Sequence, residues 1–187
     1  NAERYLRNAD EMNELFADRP EWLAATLQVA ERCDDDVMPG RCQLPQVYHE
    51  PGRTLREAVF AGAQIRHKKI DRALHRRLES EIERIGRLDF ANHFLVAWEV
   101  CRWAEQQNIL FSGRGSVVDS AVAYCLGLSR IDAFTHKLHF DRFLPDDGSK
   151  RPDIDIDFEA KRRDDIREHM TTKYGKERVA TVAAFGA

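Results

Sequence analysis

The stretch Arg151-Pro152-Asp153-Ile154-Asp155-Ile156-Asp157-Phe158 decides how this chain folds. From Asp153 onward carboxylate and apolar residues alternate strictly, and a period of two is the period of a strand. The spacing puts Asp153, Asp155 and Asp157 on one face, about 6.6 Å apart along it, and turns Ile154, Ile156 and Phe158 into a core. Like charges this close cost stability unless a cation neutralises them. Mg²⁺ or Mn²⁺ suits such a face, because both are hard cations that prefer carboxylate oxygens and keep waters for substrate phosphates to displace. The same pattern also describes a solvated strand with its aspartates turned outward.

Upstream of the acidic strand, Ile109-Leu110-Phe111 is a short apolar run, Ser112-Gly113-Arg114-Gly115-Ser116 a glycine loop, and Val117 to Leu126 a buried helix. Strand, glycine loop and helix in that order can seat an anion: glycine lets the backbone come close, and Ser116 can cap the helix or bond a phosphate. The full dinucleotide fingerprint and the Walker lysine are both missing, so the loop alone is weak evidence. Downstream come a helix from about Lys161 to Tyr174, with Ile166, Met170 and Tyr174 recurring every four residues, and an apolar run, Arg178 to Phe185, expected as a strand. The C-terminal half is therefore mixed α and β.

The first ninety residues read as successive helices. Pro20 is placed to open one running to Cys33, and Thr54 with Glu57 forms a capping box for another. Between them, residues 34–53 carry Asp34-Asp35-Asp36, Pro39-Gly40, Pro45 and Pro51-Gly52, a loop or linker in which the three acids read as solvated or helix-terminating rather than as a second metal site. Leu74, Leu78, Ile82 and Ile85 mark a packing helix over 71–85. Phe90 to Gln107, with Phe94, Leu95, Trp98, Cys101 and Trp103, reads as a largely buried helix whose aromatics are core.

With 187 residues, 43% hydrophobic, the chain can bury a real core. A net charge of −3 excludes a general polyanion-coating protein and leaves local patches to meet nucleic acid. The one basic run, Arg66, Lys68, Lys69, Arg72, Arg76 and Arg77, is more often a solvated face. Cys33, Cys42, Cys101 and Cys125 show no CxxC pair and no matched Cys/His spacing, which fits a reduced cytosolic setting without zinc or disulfides. His136 and His139, at i and i+3, lack a third ligand and read as structural, and Arg162 and Arg163 as solvated. No apolar run approaches a membrane span. With no initial methionine and an abrupt final apolar run, the ends look like cuts in a longer protein.

A phosphate-seating loop followed by an Asp-x-Asp strand suggests metal-dependent phosphoryl or nucleotidyl transfer. Two carboxylates can bridge two cations about 3.5 to 4 Å apart, one serving the attacking hydroxyl and one the departing pyrophosphate. Asp155 and Asp157 fit that role, and Arg142 would supply a planar positive fork for a triphosphate.

Gly113-Arg114-Gly115-Ser116, the helix with Ala123-Tyr124-Cys125-Leu126-Gly127, Phe140-Asp141-Arg142-Phe143-Leu144 and Pro152 to Phe158 together resemble the bacterial DNA polymerase III alpha subunits, the C-family replicative and error-prone polymerases. The resemblance extends over nearly the whole chain, since Tyr5-Leu6-Arg7, Glu11-Met12 and Thr26 to Cys33 look like the helical segment after that family's amino-terminal phosphoesterase domain. It implies an α+β fold: a helical N-terminal half, residues 1–86, then a partial palm, residues 87–187, of the polymerase-beta-like nucleotidyltransferase type, with a small mixed sheet flanked by helices. It also implies Asp155 and Asp157 as catalytic metal ligands for two Mg²⁺ or Mn²⁺ ions, Asp153 as a supporting acid, and Arg114, Gly115, Ser116 and Arg142 at the nucleotide.

The implied partners are a DNA primer-template, a deoxynucleoside triphosphate and, through regions outside this chain, the sliding clamp, in the bacterial cytoplasm and without a membrane. The family's third catalytic aspartate falls beyond Ala187, so the chain alone is not expected to polymerise DNA. Asp119 departs from the pattern by placing a negative charge near the loop. It supports the other reading, a degenerate, non-catalytic module that binds DNA or polymerase partners. Glu159 and Tyr124-Cys125-Leu126 lean toward the error-prone branch.

Overall fold

The computed structural model describes residues 5–33, 47 and 51–181. It separates into two compact units, residues 1–43 and 44–187. The first holds α1 (Ala9–Leu15) and α2 (Pro20–Glu31). A capping box opens α1: the Glu11 amide donates to Asn8 Oδ1 and the Asn8 amide to Glu11 Oε2, both at 2.9 Å. Pro20 begins α2 as its position predicts. Asp34 to Asp36 and Cys42 lie outside the described residues.

The second unit contains α3 (Pro51–Arg66), α4 (Arg72–Arg87), α5 (Ala91–Gln106), β1 (Phe111–Arg114), α6 (Ala121–Cys125), β2 (Asp155–Phe158) and α7 (Arg163–Tyr174). The α+β class holds, with β1 and β2 antiparallel. Leu55, Val59 and Ala63 of α3 and Leu74, Leu78, Ile82 and Ile85 of α4 join one core with Phe94, Leu95, Val122 and Phe143. Helices α3 and α4, assigned to the 1–86 segment, thus share a hydrophobic core with the segment after residue 87.

Helix α5 is apolar on two sides because it lies between two clusters. Phe94, Leu95 and Cys101 enter the main core, while Val100 and Ala104 meet Ile109 and Ile166 in a smaller one, to which Met170 and Tyr174 of α7 add. Asn108 ends α5 with a positive φ of 54°, a conformation asparagine tolerates, and the chain turns into β1. The stripe expected on α7 is thereby used, chiefly against α5 and the Phe111–Phe158 end of the sheet.

Four local expectations shift. Helix α3 starts at Pro51, so Thr54 is helical and does not cap it with Glu57. The strand expected at 109–111 is displaced to Phe111–Arg114, because these residues pair with β2 in the register Phe111↔Phe158, Ser112↔Asp157, Gly113↔Ile156 and Arg114↔Asp155. The helix expected over 117–126 is two pieces, a 3-10 turn from Gly115 to Asp119 and then α6, parted at Ser120, whose φ of −102° and ψ of 123° are extended. The end run follows a 3-10 turn at Lys176–Arg178 and forms no strand through residue 181, and its remainder lies outside the described residues.

Candidate active site

Register sorts the two-stranded sheet into an inner and an outer face. Phe111 and Phe158 pack inward with ring centroids 5.9 Å apart, and Ile156 packs on the core with them. The outer face carries Ser112 and Arg114 opposite Asp157 and Asp155. Asp155 and Asp157 therefore share a face as their spacing predicts. Asp153 is exposed and precedes β2. The ladder stops at Asp155 because its partner Arg114 is followed by Gly115, whose φ of +66° turns the chain away.

The cation on this face is Arg114. Its Nε donates to Asp157 Oδ1 at 3.0 Å and its Nη1 to Asp155 Oδ2 at 3.3 Å, so one guanidinium spans both carboxylates. The hydrogen bond to Asp157, and then the charges of Asp155 and Asp157, push the arginine's already high pKa further up. This resolves the like-charge problem posed by the sequence with a side chain from the neighbouring strand. Arg114, which the resemblance implies at the nucleotide, bonds the two acids here.

Both glycines of the loop have steric duties. Gly113 donates its amide to the Leu128 carbonyl at 2.9 Å, and a Cβ there would collide with that carbonyl. Gly115 lies under Asp155, where a Cβ would sit 3.1 Å from Oδ2. Ser116 follows in the 3-10 turn, partly exposed.

Asp119 does not project its charge at the loop. Its side chain is only 4% exposed and faces Arg142, Oδ2 to Nη1, at 3.7 Å, while the arginine is largely exposed. His93 of α5 lies against the segment entering β2. Burial lowers its pKa, opposed by a hydrogen bond with the Pro152 backbone and by the Asp153 charge.

Glu81 belongs to none of the motifs above. It is 1% exposed, yet its carboxylate accepts from Ser120 Oγ at 2.8 Å, from the Ala121 and Val122 amides at 3.1 and 3.0 Å, and from Arg77 Nε at 2.5 Å. Burial raises its pKa, while Arg77, the Val122 amide and Ser120 pull it back. Arg77 continues the network to the Asp119 and Leu138 carbonyls at 3.2 and 2.9 Å. A signal was present: Glu81 falls inside the apolar stripe of α4 and four residues after an arginine.

Of the basic run, Arg77 is consumed by this network and Arg66 stacks over Tyr124 at 5.3 Å, leaving Lys68, Lys69, Arg72 and Arg76 exposed. His136 and His139 are exposed. Cys33, Cys101 and Cys125 are free, and burial pushes the last two thiols up to about 12, which removes them as nucleophiles. Among the described residues no three His, Cys, Asp or Glu side chains form a metal-holding group, and no helix is long and apolar enough to cross a membrane. Asp155 and Asp157 nonetheless fit a hard cation that keeps several waters: both are carboxylates, partly exposed, and already matched to positive charge.

Fold and site together define an α+β chain in which a small sheet sets two carboxylates beside a glycine turn. The model of the bacterial DNA polymerase III alpha NTPase domain matches residues 53–187, and the chain belongs to that family. It is 40% identical to an error-prone DNA polymerase of Symbiobacterium thermophilum, with 99% of this chain and 17% of the relative covered. It is 37% identical to an error-prone DNA polymerase of Bradyrhizobium diazoefficiens, covering 98% and 16%. It is 36% identical to a DNA polymerase III subunit alpha of Bacillus subtilis, covering 97% and 17%. The chain thus spans about a sixth of the length of these relatives, and both kinds of name occur at similar identity.

Proposed function

We propose that this chain is the first part of the palm of a DNA-directed DNA polymerase catalytic subunit, which adds deoxynucleotides from their triphosphates to a primer 3′-hydroxyl. The observation that carries the reading is the Asp155–Asp157 pair on one sheet face, with the Gly115 turn directly beneath Asp155. In this reading Asp155 and Asp157 hold two Mg²⁺ or Mn²⁺ ions together with a third acid supplied from outside the chain, and Asp153 adds negative potential beside them. The chemistry that such ions supply is a more acidic attacking hydroxyl and charge compensation on the departing pyrophosphate.

The chain's own residues do the rest. Gly115 and Ser116 present backbone and hydroxyl to the triphosphate, and Arg142 lends it a fixed charge. Arg114 bonds both acids and offsets their mutual repulsion, and it would be available to phosphate where cations were held by Asp155 and Asp157. Primer-template DNA, the nucleotide and a sliding clamp are the proposed partners, in the bacterial cytoplasm, and the chain alone does not polymerise. The alternative of a non-catalytic module rested on Asp119, whose carboxylate is buried and faces Arg142.

The reading is tested by calorimetric Mn²⁺ titration, with and without a deoxynucleoside triphosphate, of the polymerase subunit and its Asp155→Asn, Asp157→Asn variant. Metal-dependent nucleotide binding is expected in the first and absent in the second; equal binding would refute the assignment. Arg114→Met makes a separate prediction. Freed of its competitor, the acid pair should bind Mn²⁺ about two- to fivefold more tightly, the scale of an exposed ion pair, while nucleotide affinity falls. Unchanged metal affinity would mean that Arg114 does not compete for the acids.

A further inference from the structure

We infer that Glu81 is a positioning residue for the nucleotide loop, acting through Ser120 to fix where Gly115 and Ser116 lie relative to Asp155; this rests on the function proposed above. The run Gly115–Ser120 is held at both ends. At its start, Arg114 pairs with Asp155 across the sheet. At its end, the Glu81 carboxylate gathers Ser120 Oγ and the Ala121 and Val122 amides, while Arg77 takes the Asp119 carbonyl. Both of the carboxylate's oxygens are engaged: Oε1 by Arg77 and Ala121, Oε2 by Ser120 and Val122.

The apolar sequence over 117–126 favours one helix, yet the backbone breaks at Ser120. Ser120 is the N-cap of α6, its Oγ accepting from the Ala123 amide at 3.0 Å, and Glu81 accepts from the Ala121 and Val122 amides that the new helix start leaves free. Six residues therefore span a fixed gap between a strand and a buried carboxylate on a different helix, and Gly115 and Ser116 are the first two after the strand. The same run carries Asp119, which faces Arg142, so both proposed phosphate contacts take their position from one segment. A buried charge pair is an expensive way to pin a turn, and it is strongly coupled to geometry, because removing either partner strands the other.

The roles of a mere fold anchor and a positioning residue separate in the kinetics. A fold anchor changes the amount of active enzyme and so kcat, leaving the nucleotide KM alone; a displaced loop raises the nucleotide KM. The experiment uses Glu81→Gln and Ser120→Ala in the polymerase subunit, with primer extension, primer-template affinity and thermal unfolding measured for each. Glutamine must point a donor at two other donors on one side or the other. Glu81→Gln is expected to raise the nucleotide KM by about tenfold and Ser120→Ala by about threefold, with primer-template affinity unchanged. Wild-type nucleotide KM in the folded variants, whatever happens to kcat, would overturn the inference. If Glu81→Gln does not fold, Ser120→Ala decides alone by the same criterion. Full polymerisation in the Asp155→Asn, Asp157→Asn variant would overturn the site itself, and the inference with it, whereas an unmoved KM with that variant inactive would overturn only the role of Glu81.

Discussion

Changing Asp155 and Asp157 together to asparagine in the polymerase subunit is expected to lower primer extension by about 10³-fold or more, the scale on which even one pre-placed electrostatic group counts. Asparagine keeps the shape and one oxygen but not the charge that a divalent cation requires. The fold should barely notice. Both side chains lie on the outer face, at 35% and 66% exposure, and their only described charge partner is Arg114, itself exposed. Thermal unfolding of the variant should therefore stay within about 2 °C of the parent, as for a surface change of under ~0.5 kcal/mol. Each single variant should lose most of what the double loses, since the two acids act as one unit and such losses do not add. Extension at parental rate in a folded double variant would remove the acidic strand from catalysis.

Residues whose role depends on periodicity are legible in the sequence. The stripe Leu74, Leu78, Ile82 and Ile85 predicts α4, and all four are buried; alternation from Asp153 predicts that Ile156 and Phe158 turn inward and that Asp155 and Asp157 share the opposite face. Pairing is not legible there. No local signal says that Phe111–Arg114 lies against β2, and without that register Arg114 reads as part of a phosphate loop and not as the counter-ion of the acids. The break at Ser120 is hidden for the same reason: the residues 117–126 favour a helix, and the carboxylate that accepts from the Ser120 hydroxyl at the break lies 39 positions earlier in the chain. Asp119 misleads because its charge is judged by its neighbours in sequence, whereas its partner Arg142 comes from another turn. The shared core also follows from packing at a distance, since composition changes near Gly86 while the hydrophobic contacts of α3 and α4 run across it.

Gly62→Ala is expected to destabilise the protein by about 3 kcal/mol or more, at the upper end for added volume in a packed interior. Alanine is the better helix former by about 1 kcal/mol, so propensity alone predicts the opposite sign. The reason lies across the interface. A Cβ on Gly62 would fall far inside van der Waals contact distance of the Cys125 carbonyl oxygen and 2.8 Å from its carbonyl carbon. Both are backbone atoms, and that backbone cannot easily move. Cys125 ends α6, whose start is fixed by Glu81, and it is followed by the Gly127 turn, where the Leu128 amide bonds the Ala123 carbonyl at 2.9 Å. The Leu128 carbonyl in turn takes the Gly113 amide of β1, so a displacement of α6 is passed to the strand that carries Arg114. The measurement is the thermal midpoint, expected to fall by roughly 6 to 12 °C for a domain of this size. A midpoint at or above the parent's would show that α3 and α6 can part without cost, and would leave the close approach at Gly62 without a role in holding the site in place.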